Sequence, residues 1–217
     1  MIKPLFSVGS FAFGRLSVEQ VNNEYAELRF LAYHKEKKLT HANIVLPSQM
    51  IDSSDQRSVS YGLFDDSNLI AAIRVIESED GSGLPMSSYL PSVPSPVIPC
   101  FELSRAVVLP SYRGCSIFSF LISAAIHQTL ALGARHIIAA AGDQKTNHRF
   151  WSRVGFEPVG DSFLFRDEII WSGEPLRLFE AVFPKRFDVD SSLNHVVDLL
   201  RSSANRISRD SEYISKD

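Results

Sequence analysis

Cysteine is scarce in this chain: Cys100 and Cys115 are the two thiols among 217 residues. Two thiols cannot build a disulfide framework and neither stands at a metal-type spacing, so the sequence predicts a reducing, cytoplasmic setting. Long hydrophobic runs are missing as well, and no segment reaches the roughly 20 apolar residues that a membrane-spanning helix needs. Met1–Gly14 offers only Lys3 before a short mixed apolar run, with no small-residue cleavage pattern, which predicts neither export nor a membrane span. An excess of one charge is also lacking. A formal net charge of -3 supplies no overall pull toward nucleic acid, so no nucleic-acid partner is expected. His34, His41, His136 and His148 show no metal-ligand spacing, no nucleophile-elbow pattern supports Ser-His-acid catalysis, and the chain has no internal repeat.

What is present is an ordinary globular composition, 45% hydrophobic and 22% charged. It suffices for one core over residues 1–186, with 187–217 read as a C-terminal helix and polar tail. From Ser17, apolar Val18, Val21, Tyr25, Leu28 and Leu31 recur at helical spacing, and Ser17 with Gln20 makes a capping box. Ser58–Phe64 and Leu69–Ile76 read as strands of an antiparallel hairpin turned at Asp65–Asn68. Next along the chain is a loop crowded with Gly, Pro and Ser, punctuated by Leu84, Met86, Tyr89 and Leu90, and loops of that length are usually functional or mobile. Then come a strand over Val97–Leu109, a helix over Ser116–Leu132 and an Ile/Ala-rich strand over His136–Ala141, an order that implies a parallel crossover. A short helix over Lys145–Val154 precedes strand candidates Phe163–Trp171 and Leu176–Phe183, and Ser191–Leu200 reads as a last helix. The layout is α+β around one mixed sheet.

The stretch Cys100–Ser116, CFELSRAVVLPSYRGCS, puts charges inside a strand and a glycine turn directly after it. Tyr112-Arg113-Gly114-Cys115-Ser116 sits where the strand stops and a helix begins. Free N–H groups there converge on the positive end of the helix dipole, Gly114 permits close approach, and Arg113 adds a cation: the chemistry of an anion site. An ordinary loop with an exposed arginine fits the spacing too.

Together with the downstream run NHRFWSRVGFEPVG, this segment resembles the GNAT acyltransferases, whose Arg-Gly-x-Gly/Ala turn follows the central strand and whose Gly-Phe pair follows a later short helix. The matching residues are Arg113, Gly114 and Ser116, then Asn147, Gly155 and Phe156. The resemblance implies a GNAT-like mixed sheet with a central splayed parallel pair, Glu102–Leu109 and His136–Ala141. It implies no permanently bound cofactor. The cosubstrate would be acyl-CoA, or the phosphopantetheine thioester of an acyl carrier protein, held by Val108, Arg113, Gly114, Cys115, Ser116, Asn147 and Phe150. Ser116 departs from the usual small residue. Trp151 stands where many such enzymes carry a Tyr that protonates the leaving thiolate, and an indole cannot serve as that acid.

A narrower resemblance covers the N-terminal half. Arg29 in the first helix, Asp52 and Asp55 in DSSD, Arg74 in AAIRVIE, a Pro-rich loop, and Glu102, Ser104 and Arg105 in FELSR are similar in kind and order to the acyl-homoserine-lactone synthases and the related N-acyl amino acid synthases. The aromatic residue that helps the lactone-forming synthases bind S-adenosylmethionine is absent from His34–Leu39. The resemblance therefore points first to transfer of a fatty acyl group onto the amine of an amino acid or derivative. Lactone (autoinducer) synthesis with S-adenosylmethionine comes second, then a small-acyl acetyltransferase or a non-catalytic thioester-binding module. It also implies substrate-binding roles for Arg29, Asp52, Asp55, Arg74, Ser104 and Trp151.

Strand alternation predicts Glu102, Ser104 and Ala106 on one face and Phe101, Leu103 and Arg105 on the other. Buried charges need partners, so Asp52 and Asp55 are expected to pair with Arg29, Arg74 and Arg105. Glu102 is the expected general base, Arg105 a second catalytic candidate, and the main chain near Val107 the expected oxyanion donor. Phe118, Phe120, Leu121, Ile137, Ile138 and Phe150 are candidates for an acyl tunnel.

Overall fold

The structure, a computed structural model, describes residues 3–35, 44–79, 83–89, 99–167, 169–170, 172–183 and 196–202. Its strands are β1 (Pro4–Val8), β2 (Phe11–Arg15), β3 (Val59–Asp65), β4 (Asn68–Ser78), β5 (Cys100–Val108), β6 (His136–Gly142), β7 (Glu157–Phe163) and β8 (Leu176–Val182). They form one mixed sheet in the order β1-β2-β3-β4-β5-β6-β8-β7. β5 and β6 are the parallel pair and the other pairings are antiparallel, which gives the α+β architecture of the GNAT fold.

Ser17 caps the first helix as expected, its side chain accepting from the Gln20 N–H while the Gln20 side chain answers the Ser17 N–H. The helix runs as α1 (Val18–Gln20), a π segment (Val21–Tyr25) and α2 (Ala26–Lys35). A π turn inserts a residue and rotates the helix beyond it. The buried stripe beyond it is therefore Tyr25, Ala26, Leu28, Arg29, Ala32 and Tyr33, with Leu31, expected on the apolar face, exposed; Val18, ahead of the π segment, is exposed as well. α3 (Ile117–Ala131) lies against β4 and β5, and α4 (Lys145–Arg153) comes after β6.

One face of the sheet, with Phe13, Ile73, Phe101, Leu103, Ile137 and Phe179, packs against α3 in the main core. Val196 and Leu200 of the helical residues 196–202 are buried in the same cluster. The opposite face carries α2 over Ala72 and Val107, and next to it Leu84 and Met86 cover Ile76, Cys100 and Ile138.

Three readings need correction. Ahead of the helix from Ser17, where no element is expected, β1 and β2 form a hairpin turning at Gly9-Ser10, where Gly9 takes φ 59°. The strand expected at Phe163–Trp171 lies earlier, at Glu157–Phe163. It is an edge strand whose largely exposed side chains carry no apolar alternation, and within the expected range the Ser172 N–H donates to the Phe165 carbonyl. Third, alternation along β5 breaks at Arg105.

Ser104 pairs with Arg74 and Val107 with Ala72, so Arg105 and Ala106 together oppose Ile73: a β-bulge, with Arg105 at φ 54°. The inserted residue reverses the faces. Glu102, Ser104, Arg105 and Val107 now share the α2 side, while Ala106 joins Phe101, Leu103 and Val108 on the α3 side. The expected placement of Ala106 beside Glu102 and of Arg105 opposite it is thereby inverted. Residues 36–43, 80–82, 90–98 and 184–195, with the starts of the expected strand at Val97 and helix at Ser191, lie outside the described residues.

Candidate active site

β5 and β6 stay paired only from Cys100–Leu103 against His136–Ala139. Beyond Leu103 and Ala139 the strands part, and a cavity of about 700 Å³ opens between Ser104–Ala106 on one side and Ala139–Ala141 on the other. Met86, Glu102, Ile122, Trp151, Phe165 and Asp167 complete much of its wall. A second cavity, about 570 Å³, runs along Ala106–Val108 to Tyr112, Arg113, Gly114 and Ser116 at the start of α3. Gly114 at φ 84° and Ser116 at φ 64° make the left-handed bends that turn the chain into α3. The N-terminus of a 15-residue helix thus opens onto a channel where Arg113 also holds the Val108 carbonyl. Cys115 is buried beneath this turn.

The expected ion network is present. Arg29, fully buried, donates twice to Asp55 at 2.8 and 2.7 Å, donates to the Met50 carbonyl, and lies 3.9 Å from the centre of the Tyr25 ring. Arg74 reaches Asp52 at 2.6 Å, Asp55 at 3.3 Å and the Ser104 hydroxyl at 3.1 Å. Arg105 reaches Asp52 at 3.0 Å and Asp167 at 2.5 Å, while its carbonyl accepts from the Tyr25 hydroxyl. Three guanidiniums thus face three carboxylates. Burial pushes Asp52 and Asp55 toward the neutral form, but Arg74 and Arg105 at Asp52, and Arg29 and Arg74 at Asp55, outweigh it and hold both carboxyls below their ordinary range. Asp167 is a member that the sequence pattern does not reveal, because its stretch reads as a strand. The residue sits in a tight turn, its carboxylate accepting from the Ile169 and Ile170 N–H groups.

Glu102 lies on the same face two residues before Ser104, in a different environment. It is 0% exposed and lines the larger cavity. One carboxylate oxygen accepts the Met86 N–H at 2.9 Å, and the other is buried with no hydrogen-bond partner among the described residues. Burial pushes its pKa up to about 7, against the opposing pull of the Met86 N–H and of Arg74, Arg105 and Arg57. Arg57 is tethered to the Gly83 carbonyl.

Trp151 is buried, stacked with Phe179 at 5.7 Å, and forms part of the cavity wall. Asn147 closes the β6–α4 turn through the Gly142 carbonyl and the Gln144 side chain, and Phe150 packs on Phe118; neither lines either cavity. Of the tunnel candidates, Phe118 lines both cavities, whereas Phe120, Leu121, Ile137 and Ile138 are core.

A parallel pair that parts beside a bulge, with a glycine turn leading into α3 behind it, fits an acyltransferase of the GNAT type. The chain belongs to the acetyltransferase (GNAT) family, whose model matches residues 18–156. Enzymes of this family use acyl-CoA as cosubstrate. FeeM, an N-acyl amino acid synthase from uncultured soil microbes, is similar in structure with TM-score 0.57 at 14% identity, over 79% of this chain and 90% of that one. The IAA acetyltransferase of Bacillus cereus is similar with TM-score 0.52 at 13% identity, over 80% and 100%. Escherichia coli ElaA is similar with TM-score 0.53 at 18% identity, over 83% and 99%. These likenesses carry the fold alone. Among curated proteins, none matches the chain significantly in sequence. No helix among the described residues is long and apolar enough to cross a membrane.

Proposed function

We propose that this acyltransferase moves an acyl group, a fatty one by preference, from a coenzyme A or carrier-protein thioester to the amine of an amino acid or amino-acid derivative. The observation that carries the reading is Glu102: a buried carboxyl with one oxygen that has no partner among the described residues, facing a cavity at the opening of β5 and β6. A carboxylate titrating near neutrality takes a proton from an ammonium far more readily than one at its reference pKa of about 4.3.

In this reading the phosphates of the donor sit at Arg113–Ser116, Cys115 included, and the pantetheine arm tracks Val107 and Val108 through the second cavity. The thioester carbonyl then lies beside the bulge, where main-chain N–H groups near Val107 hold the developing oxyanion. The acceptor amine enters from the larger cavity, and Glu102 removes its proton, directly or through a water. Asp52, Asp55, Arg29, Arg74 and Arg105 brace that cavity, Arg105 with its guanidinium in the wall, and Ser104 and Trp151 border the acceptor. Asn147 supports the reading only indirectly, by fixing the turn before α4.

The test is thiol release from palmitoyl-CoA, acetyl-CoA and palmitoyl carrier protein, each with a panel of amino acids, and then mass spectrometry of the product. Amine-dependent release and an N-acyl amino acid are the expected result. Release from acetyl-CoA alone would replace the fatty donor with a small one, and no amine-dependent release would overturn the reading. The ion network belongs to the residue set shared with lactone-forming synthases, so S-adenosylmethionine joins the panel, and an acylated lactone in the product would select that alternative.

A further inference from the structure

Transfer from a thioester needs a second proton movement. When the amine has added to the carbonyl, the carbon–sulfur bond breaks, and an alkyl thiolate leaves poorly unless protonated as it departs. Glu102, having accepted the amine proton, stands on the acceptor side. Trp151 offers only an indole N–H, and its ring is clamped against Phe179.

The two cavities fix the sulfur's place. The pantetheine arm occupies the channel from Arg113 along Val108, and acyl carbon and amine meet in the larger cavity, so the carbon–sulfur bond lies where the two join. Tyr33, Ala106 and Phe118 are the residues common to both walls. Of these three, Tyr33 alone has an ionisable proton. Its ring is buried on α2 within the cluster over Ala72 and Val107. Its hydroxyl makes no hydrogen bond among the described residues, unlike that of Tyr25 two turns earlier. Arg105 and Arg29 lie within electrostatic range of it.

We propose that Tyr33 is the acid that protonates the departing sulfur, an assignment that rests on the thioester-to-amine reading above. Glu102 first passes the ammonium proton on to solvent; the amine nitrogen then bonds to the acyl carbon, its second surplus proton goes to the again-ionised Glu102, the carbon–sulfur electron pair goes to sulfur, and the Tyr33 hydroxyl proton makes the free thiol. The Tyr33 phenolate and the Glu102 carboxylic acid then return to their starting states by one net proton passing from acid to phenolate through solvent. No other reactant is required.

The experiment compares Tyr33→Phe with the wild type on two donors bearing the same acyl group: the coenzyme A thioester and its selenium analogue, whose selenolate leaves without protonation. Tyr33→Phe is expected to lower kcat on the thioester about 100-fold, the usual scale for general acid catalysis, and on the selenoester less than about threefold, with KM little changed. Tyr33→His, which restores a proton donor, is expected to regain part of the thioester rate. Equal losses on both donors, or full thioester activity in Tyr33→Phe, would overturn the assignment while the transfer reading stands. A wild type that acylates no amine from either donor removes both.

Discussion

Two acidic regions meet one face of the sheet, the Asp52–Asp55 segment beside Ser104 and Arg105 and Glu102 on β5 itself, and they are treated in opposite ways. Around Asp52 and Asp55 each carboxylate meets two guanidiniums and at least one backbone N–H. At Glu102 the one hydrogen-bond partner among the described residues is the Met86 N–H. Saturated charges are held ionised and keep α2, the Asp52–Asp55 segment, β4 and β5 in one arrangement. The under-supplied carboxyl is instead left near its own titration point. The contrast separates a brace from a reactive group on the protein's own electrostatics, before any substrate is considered.

The comparison is most severely challenged at Asp55. Asp55→Ala leaves fully buried Arg29 without its bidentate partner, and urea denaturation is expected to show a loss of about 3–5 kcal/mol, the scale for breaking a buried pair. A loss under about 1 kcal/mol would mean that the network braces nothing. Glu102→Gln is expected to act in the opposite direction. A carboxyl raised from 4.5 to about 7 binds more protons folded than unfolded, so its contribution to stability is complete below pH 4.5 and is lost as pH rises through 7. The amide carries no such cost and its oxygen still accepts from Met86. Glu102→Gln is therefore expected to be more stable than wild type by about 3 kcal/mol at pH 9 and equal to it at pH 4.

The same substitution is expected to cut turnover at least about tenfold with thioester binding nearly intact, measured by stopped-time thiol release and by titration with the donor. For the wild type, kcat/KM should climb as pH rises through about 7, because the base must be ionised; a flat profile between about pH 5.5 and 8.5 would remove Glu102 from proton transfer. The smallest effect is reserved for Ser104→Ala. It takes one of several partners from Arg74 and should cost about 1 kcal/mol, detectable as a shift in denaturation midpoint.

Much of this frame is legible in the sequence, for local reasons. A capping box announces α1, the two-residue turn Asp66-Ser67 sets the β3–β4 hairpin, and the Ile/Ala run of β6 fits a strand covered on both faces. The network members are legible only through their order along the chain, since Arg29 and Asp52 are far apart until α2 packs on the sheet. Phe11 and Phe13, alternating with Ala12 and Gly14, carry a strand signal that is easily missed when the first residues are weighed only as a possible leader. β7 has no such signal. The bulge at Arg105 is invisible as well, because nothing local marks a non-glycine residue for positive φ; the conformation is imposed by Asp52, Asp167 and Tyr25 closing around it.

That one surplus residue works as a parity switch. Upstream of it, even-numbered side chains of β5 look toward α2; downstream, odd-numbered ones do. Deleting Arg105 would leave Ala106, Val107 and Val108 on the faces they now hold, opposite Ile73, Ala72 and Ala71, and would mend the ladder while removing the bulge and its Asp52 and Asp167 contacts. The strand's facing can do without the surplus residue; what it adds is an arginine set into the cavity wall.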